Sequence, residues 1–111
     1  MKCSLTLFLF SSETFDLILS SETLYSLDTC EQVAYFLQQC LTAGRGVALL
    51  ATKRFYFGVG GGTLQFQELC NSLSASPIAS MDGKLTATVI QSFEDGHSNV
   101  RDIILVQKEL Y

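Results

Sequence analysis

Apolar positions along this chain change their rhythm several times, and each change marks an element. Phe15 to Ser20 is an unbroken apolar run except for Asp16. Such a run predicts a strand buried on both faces, as in parallel sheets. Asp28-Thr-Cys-Glu31 then predicts a helix N-cap with a capping-box acid three residues on. Val33, Phe36, Leu37, Cys40 and Leu41 follow at helical spacing, on one face of a helix closed by Gly44. Gly46 opens a second apolar strand, Val47 to Ala51, so strand, helix and strand make a βαβ unit. After Gly58-Val-Gly-Gly-Gly62, residues Leu64, Leu69, Cys70 and Leu73 predict a second crossover helix from Thr63 to about Leu73. The last third reads as two β-rich runs, Lys84 to Phe93 and Val100 to Lys108. They are joined by Glu94-Asp-Gly-His-Ser-Asn99, whose Asp-Gly step signals an antiparallel hairpin.

The predicted architecture is therefore α/β, and its 111 residues suit a single domain with no internal repeat or linker. Only 16% of the residues are charged, against roughly a quarter in an average soluble protein. That shortage implies that some apolar surface meets a partner subunit or another part of the same fold. The net charge of −4 and the lack of a basic stripe argue against direct nucleic-acid binding, which needs clustered Lys and Arg. Cys3, Cys30, Cys40 and Cys70 are widely spaced, with a single histidine to join them. Neither a zinc site nor a disulfide framework is expected, and they read as mostly buried free thiols in a reducing compartment. The opening Met1 to Phe10 mimics a signal peptide but lacks a small-x-small cleavage site, so a short strand over Leu5 to Phe10 is the expectation. No apolar run approaches the roughly 18 residues of a membrane-spanning helix.

Chemistry is expected where buried strands end, because open α/β sheets bind ligands beyond the carboxyl ends of their strands. Glu22 and Tyr25 lie just past the first strand, and Lys53 and Tyr56 just past the second. Each has a plain alternative: a solvated carboxylate, a packed phenol, a surface cation. The Gly58 to Gly62 cluster follows a strand and precedes a helix, yet it fails G-x-G-x-x-G because Thr63 holds the last position, and it has no G-K-[ST]. A tight turn with positive φ and close backbone approach is the plainer reading, and between the two lies a backbone wall that lets another polypeptide come close. His97 sits in the hairpin turn without partners at metal or triad spacing, and no serine occupies a G-x-S-x-G elbow.

Two segments carry a resemblance. Phe-Asp-Leu-Ile-Leu-Ser-Ser-Glu-Thr-Leu-Tyr at 15–25 and Leu-Leu-Ala-Thr-Lys-Arg-Phe-Tyr-Phe-Gly-Val-Gly-Gly-Gly at 49–62 are similar to the C-terminal portion of the histidine protein methyltransferase family. The first has the form E-x-x-Y, a relative of the D-x-x-Y after strand four in related protein methyltransferases. The resemblance implies the C-terminal half of a Rossmann-like class I methyltransferase sheet: parallel strands four and five with crossover helices, then an antiparallel hairpin of strands six and seven. The glycine-rich donor turn and the acidic end of the second strand, found earlier in family members, have no counterpart here. Residues 1–111 are thus expected to form a single, incomplete methyltransferase domain.

The family's reaction moves a methyl group from S-adenosylmethionine to a protein histidine, with a large-subunit ribosomal protein as the familiar acceptor. By resemblance, Glu22 would accept the imidazole N–H, Tyr25 would orient the ring, and Lys53, Tyr56, Gly58, Gly60, Gly61 and Gly62 would line the substrate cleft. Ser20 and Ser21 would border the cofactor, which the isolated chain is not expected to hold alone. No metal is expected, and the family setting implies cytoplasm or nucleus. The alternative is a non-catalytic interaction fragment whose first strand offers an exposed sheet edge to a partner.

Overall fold

The computed structural model describes residues 14–56, 58, 60–75, 83–94, 96 and 100–110. The expected strand over Leu5 to Phe10, Cys3 and His97 lie outside these residues. The elements run β1 (Leu17–Ser21), α1 (Leu27–Cys40), β2 (Val47–Lys53), α2 (Thr63–Ala75), β3 (Gly83–Glu94) and β4 (Val100–Leu110). The predicted α/β order is observed, each element lying within a few residues of its expected place.

One mixed sheet of order β1-β2-β4-β3 organises the described residues. β1 and β2 are parallel, with Leu17 opposite Val47 and Ser21 opposite Ala51. β4 runs antiparallel between β2 and β3, so the terminal hairpin inserts its second strand against the parallel pair. A bulge between Val89 and Gln91 shifts the hairpin register, and beyond it Ser92 stands opposite Asp102. Bulges re-aim side chains in this way.

The N-cap of α1 is Ser26, not Asp28. Ser26 Oγ accepts from Thr29 N at 3.2 Å while Ser26 N donates to Thr29 Oγ1 at 3.1 Å, a reciprocal capping box. Asp28 sits instead in the first turn, where a carboxylate favours the helix dipole. The helix ends at Cys40 with Leu41 as C-cap, and Gly44, at φ 89°, serves the turn that follows rather than the cap. Lys108, buried on β4, donates from Nζ to Gln38 O at 2.8 Å near the helix's last turn.

Both helices pack on one face of the sheet. Val33, Phe36, Leu37 and Cys40 of α1 and Phe66 and Cys70 of α2 meet Ala48 and Leu50 of β2, Leu85 of β3, and Ile104 and Val106 of β4. Complete burial of a Leu or Phe in such a cluster stabilises by about 1.5–3 kcal/mol. No helix among the described residues covers the other face. In β1 exposure alternates, and Leu17 and Leu19 are 59% and 68% exposed. The expectation that β1 is buried on both faces is therefore corrected: its apolar run is continuous, but the described residues cover only one side of it.

Candidate site at the strand exits

The two strand exits singled out in the sequence are joined in space. Glu22 N donates to Ala51 O at 2.9 Å, extending the β1–β2 ladder by one bond, and Gly62 N donates to Leu24 O at 2.8 Å. Between these bonds the chain turns sharply. Glu22 has φ 60° and is the one non-glycine residue in the left-handed region among those described. That conformation costs a long side chain on the order of 1–2 kcal/mol, so surrounding contacts must hold it.

Those contacts centre on the carboxylate. Tyr56 Oη donates to Glu22 Oε2 at 3.0 Å, and Arg101 Nη1 forms an ion pair with Glu22 Oε1. Tyr56 is itself fixed: its Oη accepts from Lys53 N at 3.1 Å and lies 3.2 Å from Thr52 Oγ1. Lys53 Nζ stands 5.8 Å from the centre of the Tyr56 ring, within cation–π range. Burial pushes the Tyr56 phenol above its ordinary pKa, and the neighbouring Glu22 carboxylate pushes the same way. The phenol therefore keeps its proton and remains a donor.

The structure thus brings Glu22, Lys53 and Tyr56 together and adds Arg101, which the sequence reading missed. Arg101 lies 79 positions from Glu22 and reaches it only because β4 inserts beside β2, where Arg101 is opposite Lys53. Tyr25 is 40% exposed, and no hydrogen bond of the cluster among the described residues reaches it. Ser20 Oγ is 2.8 Å from Thr23 Oγ1, and Ser21 is exposed. Both border an open depression of about 350 Å³ on the face away from the helices, floored by Leu19, Leu49, Leu50, Ala51 and Ile103.

The glycines divide into two pairs. A Cβ at Gly61 would lie 2.5 Å from Leu24 O and 2.7 Å from Ser26 N, and one at Gly62 would collide with Arg54 O. Both take φ above 80°: Gly61 lets the second exit loop touch the first, and Gly62 lets that second loop close back on Arg54. A Cβ at Gly58 would meet nothing within 4 Å, and one at Gly60 only Leu27 N, at the ordinary contact distance of 4.0 Å.

Behind this cluster lies a second carboxylate. Asp102 is fully buried and accepts from Arg54 Nε at 3.2 Å, Arg54 Nη2 at 2.9 Å, Thr63 Oγ1 at 2.5 Å and Ser92 Oγ at 2.7 Å. Burial alone would raise its pKa, but the bonds from Arg54, Thr63 and Ser92 outweigh that and hold it below the ordinary carboxylate range. It ties α2, β3 and β4 to Arg54, the first residue of the Arg54 to Gly62 loop.

Cys30, Cys40 and Cys70 are buried free thiols, as expected for the described cysteines. No helix among the described residues is long and apolar enough to cross a membrane.

No family model matches the chain. Among curated proteins, it is 32% identical over 102 residues to a histidine protein methyltransferase 1 homolog of Dictyostelium discoideum, covering 92% of this chain and 30% of that protein. Histidine protein methyltransferase 1 of Schizosaccharomyces pombe is 43% identical over 63 residues, 57% of this chain and 18% of its own length. A Bos taurus homolog is 46% identical over 56 residues, 50% of this chain and 15% of that protein. The chain spans less than a third of the curated relatives it matches, consistent with a C-terminal portion. The mixed sheet with two helices is compatible with a partial Rossmann-like methyltransferase fold.

Proposed function

We propose that this chain, similar over 92% of its length to a histidine protein methyltransferase 1 homolog, carries the acceptor side of a protein-histidine methyl-transfer site. The observation that carries the reading is the Glu22 carboxylate, held in a left-handed backbone at the strand exit by Tyr56 and Arg101. Left-handed non-glycine residues kept in place by their surroundings concentrate at functional sites.

Imidazole is nucleophilic only when neutral, and then only at the nitrogen that carries no proton. A carboxylate that accepts the N–H of one nitrogen selects the tautomer whose other nitrogen has its lone pair free. Glu22 has capacity for that bond, since each carboxylate oxygen offers two lone pairs and Tyr56 and Arg101 occupy one on each oxygen. Tyr56 and Arg101 fix the direction in which the remaining lone pairs point, and Lys53 steadies the Tyr56 ring. Tyr25, exposed three residues after Glu22, orients or stacks on the incoming ring. Gly58 and Gly60 leave room for the backbone of the acceptor, which the family resemblance makes a large-subunit ribosomal protein.

S-adenosylmethionine would present an amine, a carboxylate and ribose hydroxyls, and the described residues do not match them. The depression beside Ser20 and Ser21 is floored by apolar side chains, and the Ser20 hydroxyl already pairs with Thr23. Ser20 and Ser21 border the donor side without forming it, so the 111 residues alone are expected not to bind the donor. Calorimetry that returned a micromolar dissociation constant would overturn this.

The acceptor reading is tested by a graft. The matched region of the Dictyostelium relative is replaced by the corresponding residues of this chain, and methyl transfer to protein histidine is followed by mass spectrometry. Retained transfer that depends on Glu22 supports the proposal; a stable but inactive graft counts against it. The exposed Leu17 and Leu19 favour an interaction role as the second reading, and that is where an inactive graft would point.

A further inference from the structure

The chain leaves β2 at Arg54 and enters α2 at Thr63, and both ends of this loop meet at one carboxylate. Arg54 N donates to Val100 O at 2.8 Å, and Arg54 O accepts from Thr63 N at 3.2 Å, which closes the loop at its base. The side chains repeat that closure. Asp102 Oδ2 accepts from Arg54 Nε at 3.2 Å and from Thr63 Oγ1 at 2.5 Å, while Oδ1 accepts from Arg54 Nη2 at 2.9 Å. Between the two ends, Gly58, Gly60, Gly61 and Gly62 all take positive φ. Glycine loses more conformational freedom on ordering than any other residue, so such a segment keeps one shape only if it is tied down. A buried ionic cluster is not needed merely to join elements, since well-packed apolar residues do that as well. What it adds is a defined geometry.

That geometry bears on the acceptor. Arg101 and Asp102 are consecutive on β4, and Arg101 holds Glu22 while Asp102 holds the loop base, so one short stretch of backbone sets both strand exits against each other. We propose that Asp102 is a positioning residue for acceptor binding, clamping Arg54 and Thr63 so that Gly58 and Gly60 stand at a fixed place relative to Glu22. This rests on the reading of Glu22 and the glycine loop as the acceptor side. Asp102 itself touches no acceptor atom, because it is fully buried and Arg54, Thr63 and Ser92 occupy its oxygens. Its effect passes through Arg54 and Thr63. It falls on acceptor affinity rather than on the transfer step, because an unclamped loop must be ordered as the acceptor binds.

The test uses the graft with total large-subunit ribosomal protein as acceptor, well below the melting temperature of every variant. Thr63→Val deletes one tie and is expected to raise the acceptor KM about fivefold or more while kcat stays within about twofold. Thr63→Ser, which restores the hydroxyl, should return KM to the unmodified value. Arg54→Lys keeps the charge but loses the two-pronged fork, and should raise KM likewise. Val106→Ala, in the core four residues further along β4, should change neither constant. Amide exchange in the full 111-residue chain gives a readout free of activity. The amides of Gly62 and Thr63, bonded to Leu24 O and Arg54 O, should exchange at least about tenfold faster in Thr63→Val, with those of β2 and β4 unchanged. Unchanged exchange at both amides, or an unmoved KM in both Thr63→Val and Arg54→Lys, would overturn the positioning role. So would a fall in kcat alone that follows the folded fraction. A graft whose unmodified form transfers no methyl group would instead overturn the acceptor reading, and the positioning role with it.

Discussion

Two carboxylates at the same end of the sheet, Asp102 and Glu22, are each paired with an arginine and with hydroxyl donors, yet they are built for different purposes. Asp102 is fully buried, and four donors from two other elements and one loop saturate its oxygens. Glu22 leaves 47% of its side chain exposed, has two donors, and sits on a strained backbone. A saturated buried carboxylate has nothing left to offer a ligand and acts as a fastener. A half-exposed carboxylate with lone pairs to spare, held by contacts that fix its direction, can receive one.

The largest effect should come from removing the open carboxylate. In the graft, Glu22→Ala is expected to lower methyl transfer by about 100-fold or more, within the range for loss of a positioned acid–base group. Its urea midpoint should hardly move, and undiminished transfer by the Glu22→Ala graft would erase the distinction between the two carboxylates. Asp102→Ala should do the converse in the isolated chain, costing about 2–3 kcal/mol by urea denaturation. That lies below the value for a wholly buried pair because Arg54 reaches solvent.

The pH dependence separates the two sites further. Asp102 has a folded pKa below its unfolded value of about 3.9, so its contribution is complete above that pH and drains away as acid protonates the folded form. The wild type should therefore lose more stability than Asp102→Asn between about pH 4 and pH 2, read from urea midpoints across that window.

Arg101→Ala sharpens the comparison from the other side. This half-exposed pair should be worth less than about 1 kcal/mol of stability. The same change should reduce transfer in the graft by about tenfold, because Glu22 loses one of the two groups that aim it. The smallest effect concerns the thiols. Burial pushes Cys30 up to about 11 and Cys70 up to about 12, so a thiol reagent at pH 8 should modify them only as fast as the chain opens.

Legibility in the sequence followed the range of the interaction. The buried face of α1 and the Asp-Gly hairpin were readable because helical period and turn chemistry act over a few residues. The α1 cap was misplaced from Ser26 to Asp28 because two capping residues stand close together and only the Ser26–Thr29 bonds decide between them. Phe66, fully buried, was passed over beside Leu64, which is 56% exposed, since apolar spacing alone does not say which flank of α2 meets the sheet. That Glu22, Lys53 and Tyr56 lie near one another was legible because each sits at the end of a strand that the pattern revealed. Arg101 and the Asp102 cluster were not, because their partners come from elements far along the chain.

The sequence by itself determined the order of elements and the βαβ unit followed by a hairpin, both consequences of local periodicity and turn residues. Tertiary structure alone decided that β4 inserts between β2 and β3, and with it which carboxylate is sealed and which stays open. That insertion sets Asp102 and Arg101, adjacent in the chain, on opposite faces of one strand. One is buried against α2 with Arg54, and the other turns out to hold Glu22.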